Sequence, residues 1–423
     1  MARNLIYPKV GNILAQAENR RIDILMIGDS NQAFGGFGWD HGMQFALSNK
    51  YGLYATGVLT TGENGGSGQA LGYYSATGDT DVAAVETGAP EQLDSYMDGN
   101  LFPQNYSYLA SGTFVQGMGL YMLTVGAANP FDVLNSNFRY HYCYGTFPTG
   151  AGSFTPGIRL EVAPYTNLIT GSPISTNTGQ YGFAYTTLDS GIVGIPRAGQ
   201  ICGRHVHVGT TCTGPWLSYF TRVEIVSRTT GISFTSMYSR GGQSLYDMAA
   251  AAIAAHDHTI YLQLYEARRL QESNGDTPIV IIMVNSGVND RNETSQPSLG
   301  PGAYTTADSP EAYVDNLTAL VTRIENVWNK YFTTGELYWL IMPSHPISEP
   351  DDAELITYRT ATQTYVDTRK NMDMIDLTDF INADQATAGS WYDGGGNTHL
   401  TQLGYESIGT LIRRNTLRKR RTI

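Results

Sequence analysis

Charge is scarce in this chain. Asp, Glu, Lys and Arg together make up 15% of its 423 residues, and their balance is acidic at -12. A nucleic-acid binder needs a basic footprint that displaces phosphate counterions, so general binding to DNA or RNA is excluded. The basic cluster of Arg413, Arg414, Arg418, Lys419, Arg420 and Arg421 is read as the solvated end of a C-terminal helix whose dipole it complements, the alternative being a tail that touches an acidic partner or a polyanion.

Long apolar runs are missing too. The longest, around residues 248–255 and 279–284, fall well short of the roughly 20 residues that cross a bilayer, so a soluble protein with no membrane partner is expected. The opening Met1-Ala-Arg-Asn-Leu-Ile-Tyr-Pro8 holds no uninterrupted apolar core and is soon followed by Glu18, Arg20 and Arg21, so no Sec signal peptide is read there. Cysteine is almost absent. Cys143, Cys202 and Cys212 form no CxxC pair, which argues against zinc and for free thiols, with one disulfide as the alternative.

What the chain does have is glycine, tyrosine and short apolar stretches. With 41% hydrophobic residues, 47 Gly and 28 Tyr, it suits a globular protein rich in loops and strands, and its length suits two or three folding units. Residues 24–27, Ile-Leu-Met-Ile, stop at Gly28 and predict a buried strand ending in a tight turn. A helix is expected over 39–50 and a second strand over 53–59. From about 106 to 222 the pattern changes to short runs, such as 120–125, 138–142, 158–162 and 205–208, punctuated by Gly, Pro, Asn and Ser. That is the spacing of an all-β sandwich.

Beyond Gly242, helical segments (245–255, 259–270, 310–328, 353–370) alternate with apolar strands (279–284, 337–342, 374–375). This is the order of a parallel sheet with helices on both faces. The expected fold class is therefore α/β: a flavodoxin-like three-layer α/β/α domain from residues 1–105 and 226–423, interrupted by an all-β, jelly-roll-like sandwich over 106–225.

Chemistry gathers at the strand ends. Ser30 stands in Gly28-Asp29-Ser30-Asn31 directly after the first strand, where a hydroxyl is exposed at the carboxyl edge at which open α/β sheets bind ligands; the alternative is a serine that merely caps a helix. A serine nucleophile needs a base from elsewhere in the chain. His399, in Asn397-Thr-His399-Leu-Thr just before the last amphipathic helix, is the candidate. An oxyanion also needs donors fixed in advance. Asn289, in Gly287-Val-Asn289-Asp290 after the strand 279–284, would project such an amide, and the glycines of Ser239-Arg-Gly241-Gly242-Gln243 allow a backbone N–H to approach a ligand.

In this order the blocks resemble the SGNH, or GDSL-like, hydrolases: Gly28-Asp29-Ser30, a glycine before a helix, Gly287-x-Asn289-Asp290, and a late His399 followed by Leu-Thr and Gly-Tyr. The resemblance covers about residues 21–75 and 232–412 and leaves the middle unmatched. It implies Ser30 as nucleophile and His399 as base. It also implies an oxyanion hole of the Ser30 and Gly242 backbone N–H groups with the Asn289 side chain, Gly242 being preferred to Gly241 because Gln243-Ser244 follows it. The family places an aspartate three residues before the histidine, and here that position is Gly396. Asp393, across a glycine stretch, is the candidate orienting acid; the alternatives are a Ser-His dyad oriented by a carbonyl or water, or a slow enzyme.

The activity so implied is a carboxylic ester hydrolase acting through an acyl-serine intermediate, with no cofactor and no metal, on an acylated carbohydrate such as an O-acetylated polysaccharide. The competing reading is a structural or glycan-adhesive virion component, for example a phage tail protein, with weak or no turnover. It implies a homo-oligomer or a place in a virion assembly, the alternative location being cytoplasmic. Other histidines get bland readings: His205 and His207 as exposed strand positions without a third metal ligand, and His345 at the rim of the site. Asp290 is expected to hold its loop by hydrogen bonds. Trp39 and Trp216 suit sugar stacking and core packing equally well.

Overall fold

The computed structural model describes residues 9–33, 38–57, 107–109, 114–120, 137–146, 151–160, 167–179, 182–192, 201–211, 216–239, 243–255, 257–290, 309–345, 352–380, 391–392 and 399–416. The chain begins with α1 (Val10–Ala15), β1 (Arg21–Gly28), α2 (Ser30–Ala33), α3 (Trp39–Tyr51) and β2 (Leu53–Gly57). A β-rich stretch follows, with β3 (Ser107–Leu109), β4 (Phe114–Leu120), β5 (Asn137–Thr146), β6 (Ala151–Leu160), β7 (Asn167–Thr170) and β8 (Ile174–Ser175). It continues through β9 (Gly182–Ile192), β10 (Ile201–Thr211) and β11 (Trp216–Ile225). The remainder alternates: β12 (Gly231–Ser239), α4 (Leu245–Ala254), α5 (Asp257–Glu272), β13 (Ile279–Ser286), α6 (Pro310–Tyr331), β14 (Glu336–Pro343), α7 (Asp352–Asp367), β15 (Met372–Met374) and α8 (Gln402–Thr416).

The fold is mixed α/β around a large, mostly parallel sheet. Strands β15-β14-β13-β1-β12-β2 lie side by side and run parallel. With β2 set aside, the other five, numbered along the chain, stand in the order 2-1-3-4-5, a doubly wound arrangement whose direction reverses beside β1. Every residue of β1 is buried, as a central parallel strand covered on both faces requires. Alternate side chains take opposite faces. Leu25 and Ile27 pack with α4, α5, α6 and α7, whereas Ile22, Ile24 and Met26 pack with α1, α3 and α8.

Helix ends follow local chemistry. Ser309 caps α6 by accepting from the Ala312 N–H, with Pro310 in the first turn where its missing N–H costs nothing. Ser244 and Asp247 form a reciprocal capping box at α4, which fixes where that helix starts beside the sheet edge.

The β-rich stretch differs from a self-contained sandwich in how its strands are shared. Strands β11, β5 and β9 continue the parallel sheet outward from β2 by antiparallel pairing, with β3 also on β11. Strands β4-β10-β6-β7, with β8 on β6, form a separate antiparallel sheet. Alternation in sequence marks a strand but not its partner, and the outer edge of β2 would otherwise present unpaired backbone groups.

The junction between the two strand sets is polar and buried. Arg222 of β11 pairs with Asp23 of β1, which also accepts from Tyr54 and, at 3.0 Å, from Gln271. Beside them Glu224 of β11 bonds Arg21 at 2.8 Å and His141 of β5 at 2.9 Å. Burial alone would raise the Glu224 carboxyl, but His141 and Arg21 outweigh it and hold the group down at about 2. Among the described residues no helix is long and apolar enough to cross a membrane.

Candidate active site

The carboxyl ends of the central strands lie level, with Gly28 paired to Ser239 of β12 and to Asn285 of β13, and Ser286 paired to Pro343 of β14. Just past β1 the chain folds sharply into α2. A side chain at position 28 would collide with Gln32 and press on the Asn285 carbonyl, so this close approach requires glycine. Ser30 is thereby set at the sheet edge, half-buried.

His399 meets it there. Its Nε2 lies 2.9 Å from Ser30 Oγ, across 369 residues of sequence. With Nε2 unprotonated, the serine hydroxyl donates to it, which is the geometry proton abstraction needs. The turn that carries His399 is fastened on its far side, where the Thr401 N–H donates to the Trp391 carbonyl at 2.7 Å and Leu400 bridges Tyr392.

The loop after β13 takes its turn at Gly287, whose φ of 123° is one that residues with a Cβ rarely adopt. Asn289 then points its Nδ2 to the Gln243 carbonyl at 2.9 Å, and Asp290 Oδ1 accepts from the Leu245 N–H at 2.8 Å in the first turn of α4. Both bonds join this loop to the segment between β12 and α4. Asn289 thus lies against the residue that directly follows Gly242. Gly242 itself, and Asp393, fall outside the described residues.

Asp29 is fully buried next to Ser30. Its Oδ1 accepts from the Asn31 N–H at 2.7 Å and its backbone carbonyl from the Gln32 N–H at 3.1 Å. Burial outweighs these bonds and pushes its carboxyl up to about 7. Asn31 in turn accepts at Oδ1 from the Tyr405 hydroxyl, 3.0 Å away. Asp29, Asn31 and Tyr405 lie inside the sequence motifs, but the motifs assign them no role. The available signal was their position directly beside Ser30 and six residues after His399.

The remaining candidates separate cleanly. His345 is an interior residue, 1% exposed, with its ring 6.4 Å from Trp39 and 6.3 Å from Tyr392; the expected place at the rim is corrected. Its chain position after β14 was legible, but not the cover that the aromatic rings supply. Trp39 is fully buried in the core beneath α8. His205 and His207 lie in β10, opposite Gln116 and Phe114 of β4.

No protein-family profile and no curated protein matches the chain by sequence. Among solved structures it is similar to a family two carbohydrate esterase from Cellvibrio japonicus, at 10% identity over 73% of this chain and 98% of that one, with a TM-score of 0.24. It is also similar to a protein provisionally described as a platelet activating factor from Streptococcus pneumonia, at 14% identity over 43% and 72% of the two chains and a TM-score of 0.29. A structure described as a CBM4 gives 12% identity over 31% and 83%, with a TM-score of 0.19.

Proposed function

We propose that the chain is a serine ester hydrolase of the SGNH kind, with Ser30 as nucleophile and His399 as general base. The observation that carries this reading is the 2.9 Å approach of His399 Nε2 to Ser30 Oγ at the carboxyl edge of a doubly wound sheet, beside its switch point. In this reading Ser30 Oγ attacks the acyl carbon as Nε2 takes its proton. The tetrahedral oxyanion is met by the Ser30 and Gly242 backbone N–H groups and the Asn289 amide. Collapse expels the alcohol, which takes the proton back from the imidazolium. Water, deprotonated by Nε2, then attacks the acyl-serine carbon, releasing the acid and restoring the serine.

Asp393 is the orienting acid of this proposal, reaching the His399 ring across the glycines 394–396. The fold reading that goes with it is a flavodoxin-like domain of residues 1–105 and 226–423 with a jelly-roll-like insertion over 106–225. The substrate class is an acylated carbohydrate, such as an O-acetylated polysaccharide, because the family resemblance joined to a Gly-, Thr-, Asn- and Tyr-rich β insertion suits a polymeric glycan.

The test is labelling of the full chain with a fluorophosphonate probe and mapping of the modified residue, alongside acetate release from acetylated glycans. Modification at Ser30, with release by the native chain and none by Ser30→Ala, is the expected result. Equal release by both chains, or no labelling at Ser30, overturns the assignment.

A further inference from the structure

Resting on the serine-hydrolase reading, we propose that Tyr405 is a positioning residue that holds the Ser30 and His399 segments in register through its hydroxyl. Ser30 and His399 come from opposite ends of the chain, so something must fix one turn against the other to within a few tenths of an ångström. Among the described residues, the Tyr405 side chain touches both turns. The Tyr405 hydroxyl donates to Asn31 Oδ1 at 3.0 Å and accepts, at a long 3.4 Å, from the Leu400 N–H. Asn31 is the residue after Ser30, and Leu400 the residue after His399.

The direction of these bonds is fixed by elementary chemistry. A backbone N–H can only donate, so the phenol oxygen accepts from Leu400 and spends its own proton on Asn31. That in turn sets the Asn31 carboxamide with its oxygen toward Tyr405. The Asn31 backbone N–H donates to the Asp29 carboxyl at 2.7 Å. One consistent chain of donors therefore runs from the histidine turn through the phenol to the serine turn.

The platform under this bridge is rigid. Tyr405 is fully buried in the first turn of α8, its N–H donating to the Thr401 carbonyl at 3.1 Å. Its ring meets the fully buried Trp39 edge-on, with centroids 5.1 Å apart and planes at 85°. The Tyr405 hydroxyl bonds the residues that follow Ser30 and His399, so its effect is on the Oγ to Nε2 geometry, where a displacement of about 1 Å can cost about a hundredfold in rate.

Tyr405→Phe keeps the ring against Trp39 and removes only the hydroxyl. In the full-length chain the expected result is a fall of about tenfold in kcat and in the rate of fluorophosphonate modification at Ser30, at unchanged KM. Asn31→Ala should give a similar fall, and the double variant should be no slower than either single one, since both remove the same bridge. Rates are expressed per active site titrated by the probe, so that a merely less stable variant retains the native kcat. Native kcat and labelling rate in Tyr405→Phe, or additive losses in the double variant, would overturn the positioning role while leaving the hydrolase reading intact. Absence of Ser30 labelling in the native chain would instead remove the hydrolase reading itself.

Discussion

His399 Nε2 and Ser30 Oγ stand 2.9 Å apart although 369 residues separate them. Groups that act as one unit fail together, so their replacements are not additive. Ser30→Ala and His399→Ala are each expected to lower kcat/KM by at least about a thousandfold, and the double replacement to be no worse than the single ones. Steady-state kinetics on an activated acetyl ester checks this. Independent, multiplying losses would mean that the two side chains do not share a step.

Asn289 has two amide protons, and the Gln243 carbonyl takes one at 2.9 Å. The other remains for an oxyanion. If that is its use, Asn289→Ala lowers kcat by about a hundredfold or more with little change in KM, the usual cost of removing one pre-aligned donor. A variant that melts earlier yet turns over normally would reduce Asn289 to a tether for the Gln243 loop.

How much of this was visible in the sequence depends on the range of the contact. The elements were legible because burial writes a local pattern: the apolar run ending at Gly28, the alternation of helices and strands after Gly242, and Ser309-Pro310 at the start of α6. Ser30, His399 and Asn289 could be named because each follows a strand or precedes a helix in a recognisable block. Sheet membership was not legible. Nothing in the alternation of β11 says that Arg222 pairs across to Asp23, or that this strand extends the parallel sheet. The Tyr405 bridge was equally hidden, since its partners Asn31 and Leu400 become neighbours only through the tertiary fold.

Asp23 and Arg222 are both fully buried, and burial pushes the Arg222 guanidinium down to about 10. Removing one partner strands the other charge in the interior. Asp23→Ala is therefore expected to destabilise the chain by about 3–5 kcal/mol, whereas Asp23→Leu combined with Arg222→Met recovers most of that loss. Urea denaturation of the native chain and the two variants decides the matter. An additive outcome, with the double variant weaker than Asp23→Ala, would mean that the pair contributes more than its desolvation costs.

Asp29 gives the chain a pH dependence of unusual sign for a carboxylate. Its folded pKa is raised from 3.8 to about 7 by burial. Between these values the folded chain keeps a proton that the unfolded chain has released, so stability falls as pH rises through this window and then levels off. Three pH units correspond to a contribution on the order of 4 kcal/mol. The carboxylates of Glu224 and Asp257, each lowered to about 2, work the other way, but the Asp257 window ends at 3.8 and the Glu224 window at 4.5, so they meet that of Asp29 only at its acid end. Asp29→Asn cannot ionise and keeps an oxygen for the Asn31 N–H. It is expected to match the native chain near pH 4, to exceed it in stability at pH 8, and to flatten the slope between. Chemical denaturation at a series of pH values measures this directly, and parallel stability curves for the two chains would show that Asp29 does not titrate between pH 4 and 7 in the folded state.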